Sequence, residues 1–320
     1  MKLVITIDTE EDNWGNYTPK GYTLKNILRI PVLQDLFDEF DVIPTYLVTY
    51  PVATDIQAIE IFRKICGEER CEIGMHCHPW NTPPFEEENN ERNSMLCNLP
   101  GDLQFRKMAH LHKTIIKNFN TLPVSFRSGR WGYNKEVAKA LYKLGYKVDS
   151  SVLSFIDWTH EQGPDFSKVF PEPYRFNPEE IFKPDSKGQL LEIPATIGFN
   201  KTNFKFSNDL FNFLRRSPIN RFRLIGLLDK LTLLKKIWLS PEQSTASEMI
   251  ALTKVFIKKK APVINLFFHS PTLLAGLTPF VRTEADQLKF IARIREFLLF
   301  IKEAGIPSVR LSETGKEILS

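Results

Sequence analysis

The chain is short of cysteine, of long apolar runs and of charge imbalance, and each shortage removes a class of protein. Four cysteines in 320 residues (Cys66, Cys71, Cys77 and Cys97), clustered in one quarter of the chain, are too few for a disulfide scaffold. They read as reduced thiols of a cytoplasmic protein. No stretch approaches the roughly 18 consecutive apolar residues of a membrane span. The opening run LVITI is shorter than the roughly 7–15 residues of a secretory leader and passes straight into acids. With 42 Lys+Arg against 38 Asp+Glu, the net charge of +4 is too small to mark a nucleic-acid-binding protein. Low complexity is confined to the acidic loop FEEENNERN (85–93), and nothing repeats beyond a strand–helix unit.

What is present is a rhythm. LVITI (3–7), TYLVTY (45–50), CEIGM (71–75), PVSFR (123–127), YKVDSSV (146–152), LLEIPA (190–195), VINLFF (263–268) and SVRL (308–311) read as strands. Helical spacing of apolar residues falls between them at 23–40, with Pro31 a kink or restart, and at 55–66, 102–119, 134–144, 244–260 and 284–304. Strands joined by single helices imply a mostly parallel sheet with right-handed crossovers, and about eight strands favour closure into a barrel. One domain over 1–320 is expected, interrupted twice. Residues 153–188, rich in proline, read as an irregular excursion. Residues 206–240 read as a basic helical insertion.

Within that insertion, 212–239 sets Leu224, Leu227, Leu228, Leu231 and Leu234 on one face, with Arg221, Arg223, Lys230, Lys235 and Lys236 around it. Such a helix suits peripheral contact with an anionic membrane, and equally suits an ordinary surface helix packing its leucines on the core.

In parallel α/β folds chemistry gathers at the carboxyl ends of the strands. Here the first strand ends in Asp8-Thr9-Glu10-Glu11-Asp12, the third in His76-Cys77-His78, the fourth in Arg127, the fifth in Asp149, and the seventh in His269. Imidazoles with a carboxylate form the usual ligand set of a zinc site that keeps a position open for water. Residues i and i+2 of an extended strand point the same way, so His76 and His78 can converge while Cys77 faces the other side. Cys66, Cys71, Cys77 and His78 match no Cys-x₂-Cys zinc pattern. Cys66 and Cys97 read as small buried residues, and His110, His112 and His160 as surface residues.

At TIDTEED (6–12), EIGMHCHPW (72–80), FRSGRWG (126–132), VDSS (148–151) and LFFH (266–269) the chain resembles the polysaccharide deacetylases, the NodB-homology carbohydrate esterases, with the motifs in the same order. The resemblance implies a distorted (β/α)7-type barrel and metal-dependent removal of acetyl groups from sugars. It makes Asp8 the catalytic base, Arg127 the residue that holds it, His269 the general acid and Asp149 the carboxylate supporting that acid, with backbone near Gly129 to Trp131 facing the oxyanion. His76 becomes a metal ligand.

The sequence departs from the family at two ligand positions. Thr9 replaces the usual second Asp, which moves that ligand to Glu10, with Glu11 and Asp12 as alternatives. Trp80 stands where the second histidine is usual, so His78 must take its place. A divalent metal, with zinc the best match, and an acetylated amino sugar of a surface-polysaccharide or lipopolysaccharide precursor are the implied cofactor and substrate. Trp14, Trp80 and Trp131 lie in loops beside the motifs and can stack on sugar rings, or cap the core. Two other readings keep the fold: a metal-independent hydrolase of amide or formyl C–N bonds, and a non-catalytic barrel that binds a glycan or a membrane surface.

Overall fold

The computed structural model describes residues 1–216 and 233–315. Leu224, Leu227, Leu228, Leu231, Arg221, Arg223 and Lys230 of the basic stretch lie outside the described residues.

An eight-stranded sheet forms the frame, in the order β10 (Val263–His269), β1 (Lys2–Thr9), β2 (Thr45–Val48), β3 (Glu72–Cys77), β4 (Ser125–Ser128), β5 (Val148–Asp149), β7 (Leu190–Glu192) and β6 (Tyr174–Phe176). Every neighbouring pair is parallel except β6–β7. A separate antiparallel pair joins β8 (Ile197–Phe199) to β9 (Lys236–Trp238). The sheet curls into a distorted barrel because the chain beyond β7 reaches back to β10: Thr196 N–H donates to the Asn265 carbonyl at 3.1 Å, and Asn265 N–H donates to Thr196 Oγ1 at 2.8 Å. The expected mostly parallel α/β barrel is therefore the fold observed.

The helices are α1 (Ile30–Glu39), α2 (Tyr50–Thr54), α3 (Ile56–Gly67), α4 (Gly101–Phe119), α5 (Lys135–Lys143), α6 (Phe204–Arg216), α7 (Ala246–Lys258) and α8 (Glu284–Glu303). Pro31 sits in the first turn of α1, after a 3-10 turn over Lys25–Arg29, so it restarts a helix. Among the described residues no helix is long and apolar enough to cross a membrane.

Alternation along the strands sets what lies inside the barrel. On β1, Leu3, Ile5 and Ile7 join the large core, while Val4 belongs to a small inner cluster with Val148, Leu191, Ile193, Val263 and Leu311 that fills the base. Two residues on, Thr6 faces Asn265; two further, Asp8 emerges at the top. Polarity thus rises along one face of a single strand, and the apolar base below stabilises the barrel by about 1.5–3 kcal/mol per fully buried aliphatic side chain.

Several expectations need correction. Residues 308–311 do not form a strand: Leu3 exchanges hydrogen bonds with Pro307 and Val309, but β2 pairs with β1 only from Thr6 onward, so just the amino end of β1 has an edge to offer. The stretch 206–240 is not helical throughout. Lys236–Trp238 is strand β9, and Lys236 turns inward, donating to the Phe155 carbonyl at 2.9 Å. Within the excursion, Tyr174–Phe176 adds an antiparallel strand to β7; three-residue strands leave no readable periodicity. His112 is buried, not a surface residue, with Nδ1 3.2 Å from the Tyr146 hydroxyl on the apolar face of α4. Cys71 and Cys77 are the buried cysteines, whereas Cys66 and Cys97 are only part-buried.

Candidate active site

The carboxyl ends of β1, β3, β4 and β10 bring the strand-end residues to one place. Register does this directly, pairing Asp8 with His269 and His76 with Arg127 on neighbouring strands. Arg127 is fully buried. Its guanidinium donates to Asp8 Oδ1 at 2.7 Å, Thr6 Oγ1 at 2.6 Å, Ser150 Oγ at 2.9 Å and the Ser150 carbonyl at 2.9 Å. Burial alone would raise the pKa of Asp8; the Arg127 charge, helped by His76 and His269, outweighs it and holds the carboxyl below its usual value. A buried carboxylate kept charged this way has its second oxygen free for chemistry, and Asp8 Oδ2 lies 3.6 Å from His269 Nε2 and 3.9 Å from His76 Nε2.

His76, His78 and Glu10 converge beside it. Their ligand-capable atoms all lie within 4.8 Å of one another, with His78 Nε2 2.9 Å from His76 Nε2 and 3.4 Å from Glu10 Oε2, and His76 Nε2 3.8 Å from Glu10 Oε2. Of these two imidazoles, only His76 has its outer nitrogen within hydrogen-bond distance of a partner among the described residues. His76 Nδ1 is 3.0 Å from the Arg127 carbonyl, a contact that requires the proton on Nδ1 and leaves Nε2 as the lone-pair nitrogen. His78 Nδ1 faces Glu11 Oε1 at 3.8 Å. Burial pushes the His76 imidazole down to about 3, so it is neutral. Burial, reinforced by Glu11, Asp8 and Glu242 and only partly offset by the His269 charge, pushes the Glu10 carboxyl well up, the response of an acid among acids.

The donor set therefore fits a divalent metal: two imidazoles, one of them oriented through its outer nitrogen, and one carboxylate, in an excess of negative charge. Glu11 and Asp12 are otherwise committed. Glu11 accepts from Asn81 Nδ2 at 2.7 Å, Thr49 Oγ1 at 3.2 Å and Trp80 Nε1 at 3.3 Å, while Asp12 accepts from Thr23 Oγ1 and the Lys25 N–H, both at 2.6 Å.

Trp80 lines the cavity, yet its ring stacks on His78 with centroids 4.1 Å apart. It backs the imidazole instead of standing open to a ligand. Gly129 completes the fit, since a Cβ there would lie 2.0 Å from His78 Cδ2 and 2.8 Å from the Cys77 carbonyl. The loop after His78 is held by a lysine that sequence reasoning missed: buried Lys107 donates to the carbonyls of Pro79 (3.0 Å), Thr82 (2.8 Å) and Pro84 (2.7 Å) and pairs with Glu87 at 2.7 Å. Cys77 faces away into the core as alternation predicts, and Cys66 contacts Cys71 at 3.0 Å, so no cysteine knuckle forms with His78.

The largest correction concerns the partner of His269. Asp149 is buried at the end of β5, accepts from Ser151 Oγ at 2.6 Å, and faces Glu192 and Tyr133. The carboxylate on His269 is Glu242, whose Oε2 is 3.0 Å from Nδ1 and whose Oε1 accepts from the His269 N–H (3.0 Å) and Thr272 Oγ1 (2.6 Å). Burial alone would lower the His269 pKa; the Glu242 charge and hydrogen bond, with Glu10 and Asp8, raise it to about 10. The imidazole is thus a charged proton donor at neutral pH. Glu242 carries no sequence signal of its own, because it follows a three-residue strand inside a stretch that reads as helix.

These groups open into a cavity of about 390 Å³. Trp14 meets His269 edge-on with centroids 4.7 Å apart, and Trp131, in left-handed backbone at φ 58°, packs against Phe267 and the Arg127 guanidinium.

No family model and no curated protein matches the chain. Solved structures do. A Parabacteroides distasonis protein described as a glycoside hydrolase/deacetylase superposes with a TM-score of 0.62 at 12% identity, covering 99% of this chain and 71% of its own. A Mycobacterium smegmatis protein described as a polysaccharide deacetylase gives 0.54 at 14% identity, with 99% and 91% covered. A GH57-type branching enzyme from Pyrococcus horikoshii gives 0.53 at 10% identity, with 99% and 70% covered. At such identities the likeness is one of fold, and it bears out the barrel that the sequence resemblance implies.

Proposed function

We propose that the protein is a metal-dependent hydrolase that removes an N-acetyl group from an amino sugar, in a surface-polysaccharide or lipopolysaccharide precursor. The observation that carries this reading is the pairing of an ionised Asp8, held by Arg127, with a protonated His269, held by Glu242, 3.6 Å apart beside the Glu10–His76–His78 cluster. A base and an acid with opposed protonation states are what amide hydrolysis needs. Similarity in fold to proteins described as deacetylases supports the same reading.

In the proposed reaction Asp8 Oδ2 takes a proton from the attacking water as the new C–O bond forms at the acetyl carbonyl. His269 then delivers its Nε2 proton to the departing amine as the C–N bond breaks, giving acetate and a free amino sugar. Backbone near Gly129 to Trp131 borders the oxyanion, and Trp14 and Trp131 flank the sugar. Glu10, His76 and His78 would hold the metal, which when bound supplies Lewis acidity toward the carbonyl and lowers the pKa of its water. Asp149 keeps a supporting role through Ser151, which accepts from the Ser128 N–H beneath the Gly129 turn.

One observation favours the metal-independent reading: the two imidazoles stand at hydrogen-bond distance, and a tryptophan occupies the usual second histidine position. Metal content of protein purified without added zinc, with activity measured before and after chelation and zinc return, separates the two. Loss on chelation and recovery with zinc is the expected result; full activity in chelator would overturn the metal-dependent reading.

A further inference from the structure

All five tryptophans of the chain, Trp14, Trp80, Trp131, Trp158 and Trp238, line the one cavity that holds Asp8 and His269. Two of them come from segments that interrupt the strand–helix rhythm: Trp158 from the proline-rich excursion, Trp238 from β9. The interruptions therefore serve as walls. At about 390 Å³ the space sits near the lower end of small-molecule pockets.

One wall is fastened. Arg130, in left-handed backbone at φ 51°, lays its guanidinium 4.4 Å over the Tyr17 ring and donates to Glu161 Oε2 at 2.7 Å, to Ser94 Oγ and to the Glu91 carbonyl at 3.4 Å. This ties the loop after β1, the 91–94 turn, the Gly129 turn and the excursion together at a single side chain. The conformation is costly for a non-glycine residue, so the contacts must over-determine it. Charge narrows the ligand further. Of the five acids that line the cavity, Asp8, Glu161 and Glu242 are paired with Arg127, Arg130 and His269, so the lining cations Arg130 and His269 are already engaged by carboxylates. Flat apolar walls with acceptor carboxylates suit the faces and hydroxyls of a neutral sugar, and offer an anionic one no unengaged lining cation among the described residues.

We propose that this cavity takes one neutral acylamino-sugar unit end-on, and that the Tyr17–Arg130–Glu161 clasp sets that limit by closing the path a longer glycan would need. The inference rests on the deacetylase reading for its chemistry, but not for its geometry. The substrate class is a monosaccharide or a short glycoside, and not a longer glycan.

Zinc-loaded protein is given N-acetylglucosamine, its disaccharide and tetrasaccharide, and the 6-phosphate of the monosaccharide. Amine release reports turnover, and quenching of the pocket tryptophans reports binding. The disaccharide should exceed the tetrasaccharide by about 10-fold in affinity or kcat/KM, and the phosphate should bind at least about 10-fold more weakly than the neutral sugar. Arg130→Ala should bring the length ratio to within about 3-fold, with Glu161→Gln as a gentler opening and circular dichroism reporting the fold of each. Equal handling of short and long sugars by the wild type, an unchanged ratio in folded clasp variants, or no binding at all would each overturn the inference. Length-dependent binding without amine release would overturn only the deacetylase reading, and amine release without length dependence only the clasp.

Discussion

Two groups of buried carboxylates lie near the top of the barrel, and they solve the same problem in opposite ways. Asp8, Glu11 and Glu242 are each held by named donors or cations: Arg127 for the first, Asn81, Thr49 and Trp80 for the second, His269 and Thr272 for the third. Asp149 and Glu192 face each other with no salt-bridge partner among the described residues, and burial pushes both carboxyls up, Glu192 most. The first arrangement keeps charge available at a cavity. The second discards charge by keeping a proton, and it does so where the cavity does not reach. Burial by itself thus says little about function; the partner decides whether a buried acid is a reagent or a structural hydrogen-bonding group.

The sharpest way to break the contrast is to remove the reagent. Asp8→Asn keeps the shape and a hydrogen-bonding oxygen for Arg127 but cannot take a proton, so kcat/KM on an N-acetylated sugar should fall by about 10²–10⁴-fold. A loss below about 10-fold, in a variant that still binds zinc, would remove Asp8 as base. Next in size is Arg127→Met, which leaves the Asp8 carboxylate buried without its cation. Removing one partner of a buried pair costs about 3–5 kcal/mol, so the variant should unfold at markedly lower denaturant, and Arg127→Met combined with Asp8→Asn should recover part of that loss. Failure of the double variant to recover stability would show that the guanidinium acts mainly through Thr6 and Ser150.

Glu242→Gln tests the other half of the machinery. His269 is held protonated up to about pH 10 by Glu242, Glu10 and Asp8 against a burial that alone would lower it. In the proposed reaction His269 is the general acid and works only while protonated, so wild-type activity should persist to alkaline pH and fall as pH rises through that value. Removing the Glu242 charge moves the fall to lower pH and lowers kcat by about 10–100-fold even at neutrality. An unmoved alkaline limb would mean that Glu242 only positions the imidazole.

Much of this was legible in the sequence, for a physical reason: long strands buried on both faces read as continuous apolar runs, and the polar residues at their carboxyl ends stand out against them. Asp8, His76, Arg127 and His269 each end such a run, and the i, i+2 argument brought His76 and His78 to one side of β3. The parts that could not be read depended on strands of three residues or on contacts between distant loops. Glu242 comes after β9, which pairs with β8 through backbone groups that carry no side-chain signature. Arg130 and Glu161 are ordinary loop residues until the excursion folds back over the cavity. His112 was a different kind of miss, since its spacing from Met108, Leu111 and Ile115 already put it on the buried face of α4. Assigning the supporting carboxylate by motif order alone put Asp149 where Glu242 stands.

The smallest effect tests the proton-sharing pair itself. Glu192 has a folded-state pKa raised well above the ordinary glutamate range, first by burial and then by Asp149. Between the unfolded value and that raised value the folded state binds more protons than the unfolded state, so this group's contribution to stability is full at acid pH and is lost as pH rises. Glu192→Gln keeps an acceptor for the Val152 N–H, now 3.1 Å from Oε1, and offers an amide N–H toward Asp149, but it cannot titrate. At about pH 5 the variant should be within about 1 kcal/mol of the wild type or slightly less stable, and the difference should shift in the variant's favour toward about pH 8. A stability difference that stays constant across that range would mean that the pair does not retain a proton, and that the two groups of carboxylates differ only in their access to the cavity.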